Sequence, residues 1–270
     1  MSQSTCNESP HLWADIRQAI MLSEPKQKCV ATQALYARSQ HLNLVAPDEL
    51  MPVTPGYPER LVLVSPGQLK RRGLTTQRGR NILIHAIAHI EYNAINLALD
   101  AAYRFQDMPL AFTQDWLQVA ADEARHFQLL NDYLNDHDCE YGDYPAHNGL
   151  WDMAVKTDHD VLARMALVPR VLEARGLDVS PAMIERLNRV EDTRAADHLN
   201  TIYEDEIHHV AIGSYWFKHC CDERQLEPQA TFFELVDEYM HGELRGPFNV
   251  AARLKSGFNI SELDALTRRY

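Results

Sequence analysis

Two short strings constrain this chain more than any other feature: Asp122-Glu123-Ala124-Arg125-His126 and Asp205-Glu206-Ile207-His208-His209. Each sets a glutamate and a histidine three residues apart, inside an apolar repeat of helical period. Residues three apart lie on one helical face. Both side chains of each pair therefore point where the apolar stripe is buried. With 18 Glu and 13 His in 270 residues, about one Glu-x-x-His pair arises by chance, and four occur. Glu8–His11 has a proline inside it, and Glu238–His241 lies on a late, short helix with no counterpart. Only the two D-E-x-x-H strings lie mid-stripe on long helices.

The apolar periodicity predicts those helices. Over 80–106, Ile84, Ile87, Ala88, Glu91, Ala94, Ile95 and Ala98 recur on one face. Over 113–137 the stripe is Trp116, Val119, Ala120, Glu123, His126, Phe127 and Leu130. The short turn at Asp107-Met108-Pro109 makes the two antiparallel neighbours. A connection rich in Gly, Asp, Tyr and Pro spans 138–157. A third helix is expected over 158–175, kinked at Pro169 and capped by Gly176. Ser180-Pro181 reads as the start of a fourth helix running to about residue 221, with Leu199, Ile202, Tyr203, Glu206, His209, Val210 and Gly213 in its stripe. Two short helices broken at Ser23-Glu24-Pro25 precede all this. Residues 41–78, punctuated by Pro47, Pro52, Pro55, Pro58 and Pro66, read as an irregular wrapping segment. A further amphipathic helix is expected over 231–241, followed by a packed tail.

The fold class expected is all-α: hairpin, long crossover, hairpin, the connectivity of a ferritin-like four-helix bundle with N-terminal and C-terminal helical extensions. The expected organisation is 1–78 as N-terminal helices and wrapping segment, 79–222 as the bundle and 223–270 as the C-terminal extension, in one compact domain.

One polar cluster interrupts each stripe: Glu91 on the first helix, Glu123 with His126 on the second, Glu173 on the third, Glu206 with His209 on the fourth. One Glu from each of two helices and Glu-x-x-His from each of the other two is the ligand set of di-iron and di-manganese carboxylate bundles. Shared carboxylates neutralise two divalent cations; without metal, four buried carboxylates would repel one another and carry a heavy desolvation cost. The expected cofactor is two iron ions, with manganese using the same ligands. Glu91 is the only acidic residue from 81 to 99. Glu173 has an alternative as a surface ion pair with Arg170 or Arg175. Asp122 and Asp205, each just before a ligand Glu, are expected to accept the second ring N–H of the ligand histidines. His85 and His89 read as structural, His208 as a rim residue, Tyr203 as a core tyrosine with a redox role as the alternative, and Cys220 and Cys221 as inert.

Charge and cysteine usage narrow the surroundings. A formal charge of -12 disfavours nucleic acid as a partner, although Lys70, Arg71, Arg72, Arg78 and Arg80 can form a local basic patch. Five cysteines without a C-x-x-C pair read as reduced thiols in a cytoplasm. The N-terminus lacks the marks of a signal peptide, and no run reads as a membrane span.

His85-Ala-Ile-Ala-His-Ile-Glu91, Asp122-Glu-Ala-Arg-His-Phe127, Val171-Leu-Glu-Ala-Arg-Gly-Leu-Asp178, Asp205-Glu-Ile-His-His-Val-Ala211 and Gly246-Pro-Phe-Asn249, in that order, resemble the bacterial ferritin-like family known as domain of unknown function 455. The resemblance runs from about residue 10 to 265 and implies a ferritin-like fold without supplying a reaction. More distantly, the bundle is similar to the di-iron monooxygenase that hydroxylates a modified adenosine in tRNA. The activity expected is therefore an O2-activating oxidoreductase or hydroxylase, with O2, a substrate and an electron-donor protein as partners. The alternative is Fe(II) binding and oxidation of the ferroxidase kind without an organic substrate. A third reading is a scaffold with a vestigial site.

Overall fold

A computed structural model describes residues 11–42, 48–69, 73–241 and 244–270. Cys6, Glu8, Pro47 and the Lys70-Arg71-Arg72 part of the basic patch lie outside the described residues. Among the described residues the secondary structure is helical, apart from one isolated parallel bridge between Leu63 and Ala146. The all-α bundle class expected from the sequence is the class observed. The chain divides into two compact units, Met1–Trp151 and Asp152–Tyr270.

The first unit is built on a helical hairpin, α3 (Gln77–Arg104) and α4 (Leu110–Asn135), with α1 (Leu12–Met21) laid on α3 and α2 (Pro25–Ser39) on α4. Each start has a local cause. Glu24 accepts from the backbone N–H groups of Lys26 and Gln27 and so caps α2, whose first residue is Pro25. Thr76 caps α3 through Gly79 N–H. Every stripe residue expected on α3 and α4 is buried. By length and composition α3 is apolar enough to cross a membrane, but 78% of its most apolar window is buried inside the protein. It is a core helix, and it carries His85, His89, Glu91, Asn93 and Asn96 into that core.

The connection after α4 is tied to α3 by its histidines. His85 Nε2 accepts from Gly142 N–H at 2.8 Å. His89 Nδ1 lies 2.8 Å from the Tyr141 hydroxyl, and its Nε2 lies 3.0 Å from the His147 carbonyl. Burial lowers the pKa of both rings to about 4, so both stay neutral. The structural role expected for this pair is the observed one. A short helix, α5 (Gly149–Lys156), contains the boundary between the units.

In the second unit, α6 (Val161–Leu167) runs through a π-helical turn, Val168–Glu173, into α7 (Ala174–Arg189). The return helix is α8 (Thr193–Glu223). Here two expectations fail. Gly176 is not a cap but lies inside α7, and Ser180-Pro181 sits mid-helix rather than starting the long helix. Pro181 has no N–H to give the Leu177 carbonyl, and the Asn249 side chain supplies a donor instead, at 3.1 Å. The true break is Glu191, at φ 59, followed by Asp192, whose side chain accepts from Ala195 N–H and caps α8. The helices α9 (Pro228–Met240), α10 (Val250–Lys255) and α11 (Ile260–Arg269) complete the unit.

Candidate metal centre

In the first unit the stripes of α3 and α4 bring Glu91, Glu123 and His126 together. Each offers one ligand atom, and these atoms lie within 4.8 Å of one another. His126 Nδ1 stands 3.3 Å from Glu91 Oε2 and 3.3 Å from Glu123 Oε2. Glu123 and His126 are wholly buried, and Glu91 is only 3% exposed. Two carboxylates and one imidazole buried together are badly matched without a cation. Burial pushes the Glu91 carboxyl well above the ordinary range, the Glu123 carboxylate adds to this, and His126 opposes it. A divalent cation among these three groups would remove the mismatch, so the donor set fits a metal ion.

The second unit repeats half of the pattern. His209 is fully buried on α8 and turns Nδ1 toward Glu206 Oε1 at 3.7 Å. Both Glu-x-x-His pairs thus present Nδ1 on the carboxylate side, which leaves Nε2 for an acceptor behind the ring. Glu173 closes the π-helical turn, with both carboxylate oxygens buried. The arginines offered as its surface partners are engaged elsewhere: Arg170 with Glu262, and Arg175 with Asp178 and the carbonyls of Arg245 and Pro247. Asp122 lies 3.3 Å from Arg125 on its own helix, and Asp205 is half-buried. His208 is exposed, in keeping with a rim position, and the Tyr203 hydroxyl accepts from Asn249.

Four buried basic side chains lie outside the sequence expectations: Lys28, Arg164, Arg170 and Arg253. Arg170, expected as a surface partner for Glu173, is 1% exposed. Lys28 is wholly buried and donates to the Ile20 carbonyl and to Asn96. Its signal was available: Lys28, Thr32, Leu35 and Ser39 form the buried face of α2 at helical spacing.

The chain is therefore an all-helical protein with a buried Glu/His cluster able to hold a metal ion. It belongs to DUF455, a family of proteins of unknown function, whose sequence profile matches residues 21–264. An uncharacterised protein of Haemophilus influenzae is 40% identical over 265 residues, covering 93% of this chain and 92% of that protein. No solved structure matches the chain.

Proposed function

We propose that this chain is a di-iron carboxylate oxidoreductase that activates O2 to hydroxylate or oxidise a substrate. The observation that carries the reading is the buried triad of Glu91, Glu123 and His126, with His126 Nδ1 at 3.3 Å from both carboxylates. The sequence supplies the rest of the ligand set. Each hairpin has one Glu on its first helix and Glu-x-x-His on its second, so Glu173, Glu206 and His209 are the counterparts of Glu91, Glu123 and His126. Six such ligands are the complement for two ions. Four carboxylates would balance the charge of two divalent cations, and the two imidazoles would complete the ligand set as neutral donors. Asp122 is assigned to accept from His209 Nε2, and Asp205 from His126 Nε2, which would fix both tautomers. Iron held this way supplies the redox equivalents for O2 activation; manganese takes the same ligands. The protein's own residues neutralise charge, orient the rings and keep bulk water away.

The four described cysteines, Cys29, Cys139, Cys220 and Cys221, are free and buried, which supports a reducing cytoplasm as the setting. O2, an oxidisable substrate and an electron-donor protein are the partners of this reading. The test is metal analysis of protein purified anaerobically without chelator, followed by O2 exposure with and without a reductant. About two ions per chain are expected, together with O2 uptake that continues as long as reductant is supplied. Uptake that stops once the bound Fe(II) is oxidised would favour the ferroxidase-type alternative. A Glu123→Ala, Glu206→Ala double variant that binds metal as wild type does would refute the site.

A further inference from the structure

We infer that the C-terminal segment 244–270, together with α8 at Gly213, fixes the π-helical turn Val168–Glu173 and through it the stance of the Glu173 carboxylate, so that Arg170, Glu262 and Gly213 are positioning residues for a ligand they do not touch. This rests on the metal-site reading above.

A π turn inserts an extra residue into the α-helical repeat and is rare because its packing is poorer than that of an α-helix. One residue of register rotates everything beyond it by about 100° around the helix axis. Glu173, the last residue of the turn, is therefore aimed by whatever holds the turn open. Three contacts do so, all within the second unit. The Arg170 guanidinium lies 4.6 Å from the Phe217 ring and 4.4 Å from the rings of Phe232 and Phe258. In that aromatic cage it pairs with Glu262 of α11, whose side chain is 3% exposed. Its Nε and Nη1 groups are buried and make no hydrogen bond among the described residues. On α8, Gly213 faces Pro169 so closely that a Cβ there would stand 2.3 Å from the proline ring. Gly213 lies one turn beyond His209, so the backbone of a ligand-bearing helix abuts the turn directly. Beyond the turn, Asn249 donates to the Leu177 carbonyl and to the Tyr203 hydroxyl, while Arg253 pairs with Asp178 at 2.8 Å.

Stability alone does not account for the Arg170–Glu262 pair. A buried ion pair costs its desolvation, and well-packed apolar residues of like volume commonly serve a core as well or better. What an apolar pair lacks is direction: a guanidinium held by one carboxylate and three ring faces has a single seat. The pair trades stability for a fixed π turn, and the carboxylate three residues on inherits that fixity.

The experiment is a Co(II) titration of the full chain, read by affinity and by the visible d–d spectrum, with far-UV circular dichroism and urea midpoints measured alongside. Four proteins join wild type: Glu173→Gln, the Arg170→Met/Glu262→Leu double variant, Gly213→Ala, and Arg269→Gln as a control. Arg269 belongs to the same tail but pairs with Asp237 at the surface. The double variant and Gly213→Ala should keep wild-type helicity, bind Co(II) about 10–100-fold more weakly and show an altered spectrum. Glu173→Gln should do the same, and Arg269→Gln should match wild type. Should the double variant fail to fold, Gly213→Ala decides alone. If Glu173→Gln weakens binding while the folded double variant and Gly213→Ala keep wild-type affinity and spectrum, the inference fails and the metal site stands. Wild-type binding by Glu173→Gln removes the ligand and the inference with it. No Co(II) uptake by wild type overturns the metal reading itself.

Discussion

Lys28 allows a prediction whose size follows from the structure. Its amine is wholly buried, held by the Ile20 carbonyl and Asn96 and 5.0 Å from the Tyr92 ring centre. Burial lowers its pKa from 10.5 to about 7, against a smaller opposing pull from Cys29. In the unfolded chain the amine returns to its ordinary value. Between pH 7 and 10.5 the unfolded state therefore binds more protons, and stability rises with pH. The contribution is complete above pH 10.5 and is lost as pH falls through 7. A gap of this size is worth about 5 kcal/mol in full, and the part falling between pH 7 and pH 9 is about 2 kcal/mol. Lys28→Met fills the same space without a titrating group. Urea unfolding of both proteins in chelator, at pH 7, 8 and 9, isolates the lysine because every other group cancels in the difference. The stability of wild type relative to Lys28→Met should climb by about 2 kcal/mol across that range. Parallel pH profiles would show that the buried amine keeps its proton in the fold, and the reasoning from burial would be wrong.

Other consequences can be measured separately. Asp122→Asn and Asp205→Asn should each weaken metal binding about 10–100-fold with helicity intact; wild-type affinity in both would refute the crossed pairing. Asn249→Ala leaves the Leu177 carbonyl, which Pro181 cannot satisfy, without its donor and should lower the unfolding free energy by about 1–3 kcal/mol, which urea titration reads. His89→Ala removes the ring that links Tyr141 and the His147 carbonyl to α3. Hydrogen exchange in residues 138–148 should then accelerate while exchange in α4 is unchanged; equal protection in both proteins would count against the anchoring role.

The parts of this protein that were legible are those decided by neighbours in the chain. The stripes of α3 and α4 have long uninterrupted repeats, and their polar members Glu91, Glu123 and His126 converge because three- and four-residue spacing leaves them no other face. Glu24-Pro25 announces α2 because capping is settled within three residues. The misreading of 176–193 has the opposite cause. Gly176 and Ser180-Pro181 carry the local marks of an end and a beginning, and Asp192 carries equally good marks of a beginning. What decides between them is the donor from Asn249, 72 residues beyond the carbonyl it satisfies. The π turn was hidden for the same reason, since nothing in Val168-Pro169-Arg170-Val171-Leu172-Glu173 specifies an extra residue per turn. Gly213, Phe217, Phe232, Phe258 and Glu262, on other elements of the same unit, hold that geometry. The convergence of Glu91, Glu123 and His126 could thus be read from spacing, whereas the aim of Glu173 could not, because it depends on residues of α8, α9 and the C-terminal segment that meet the turn only when these elements pack.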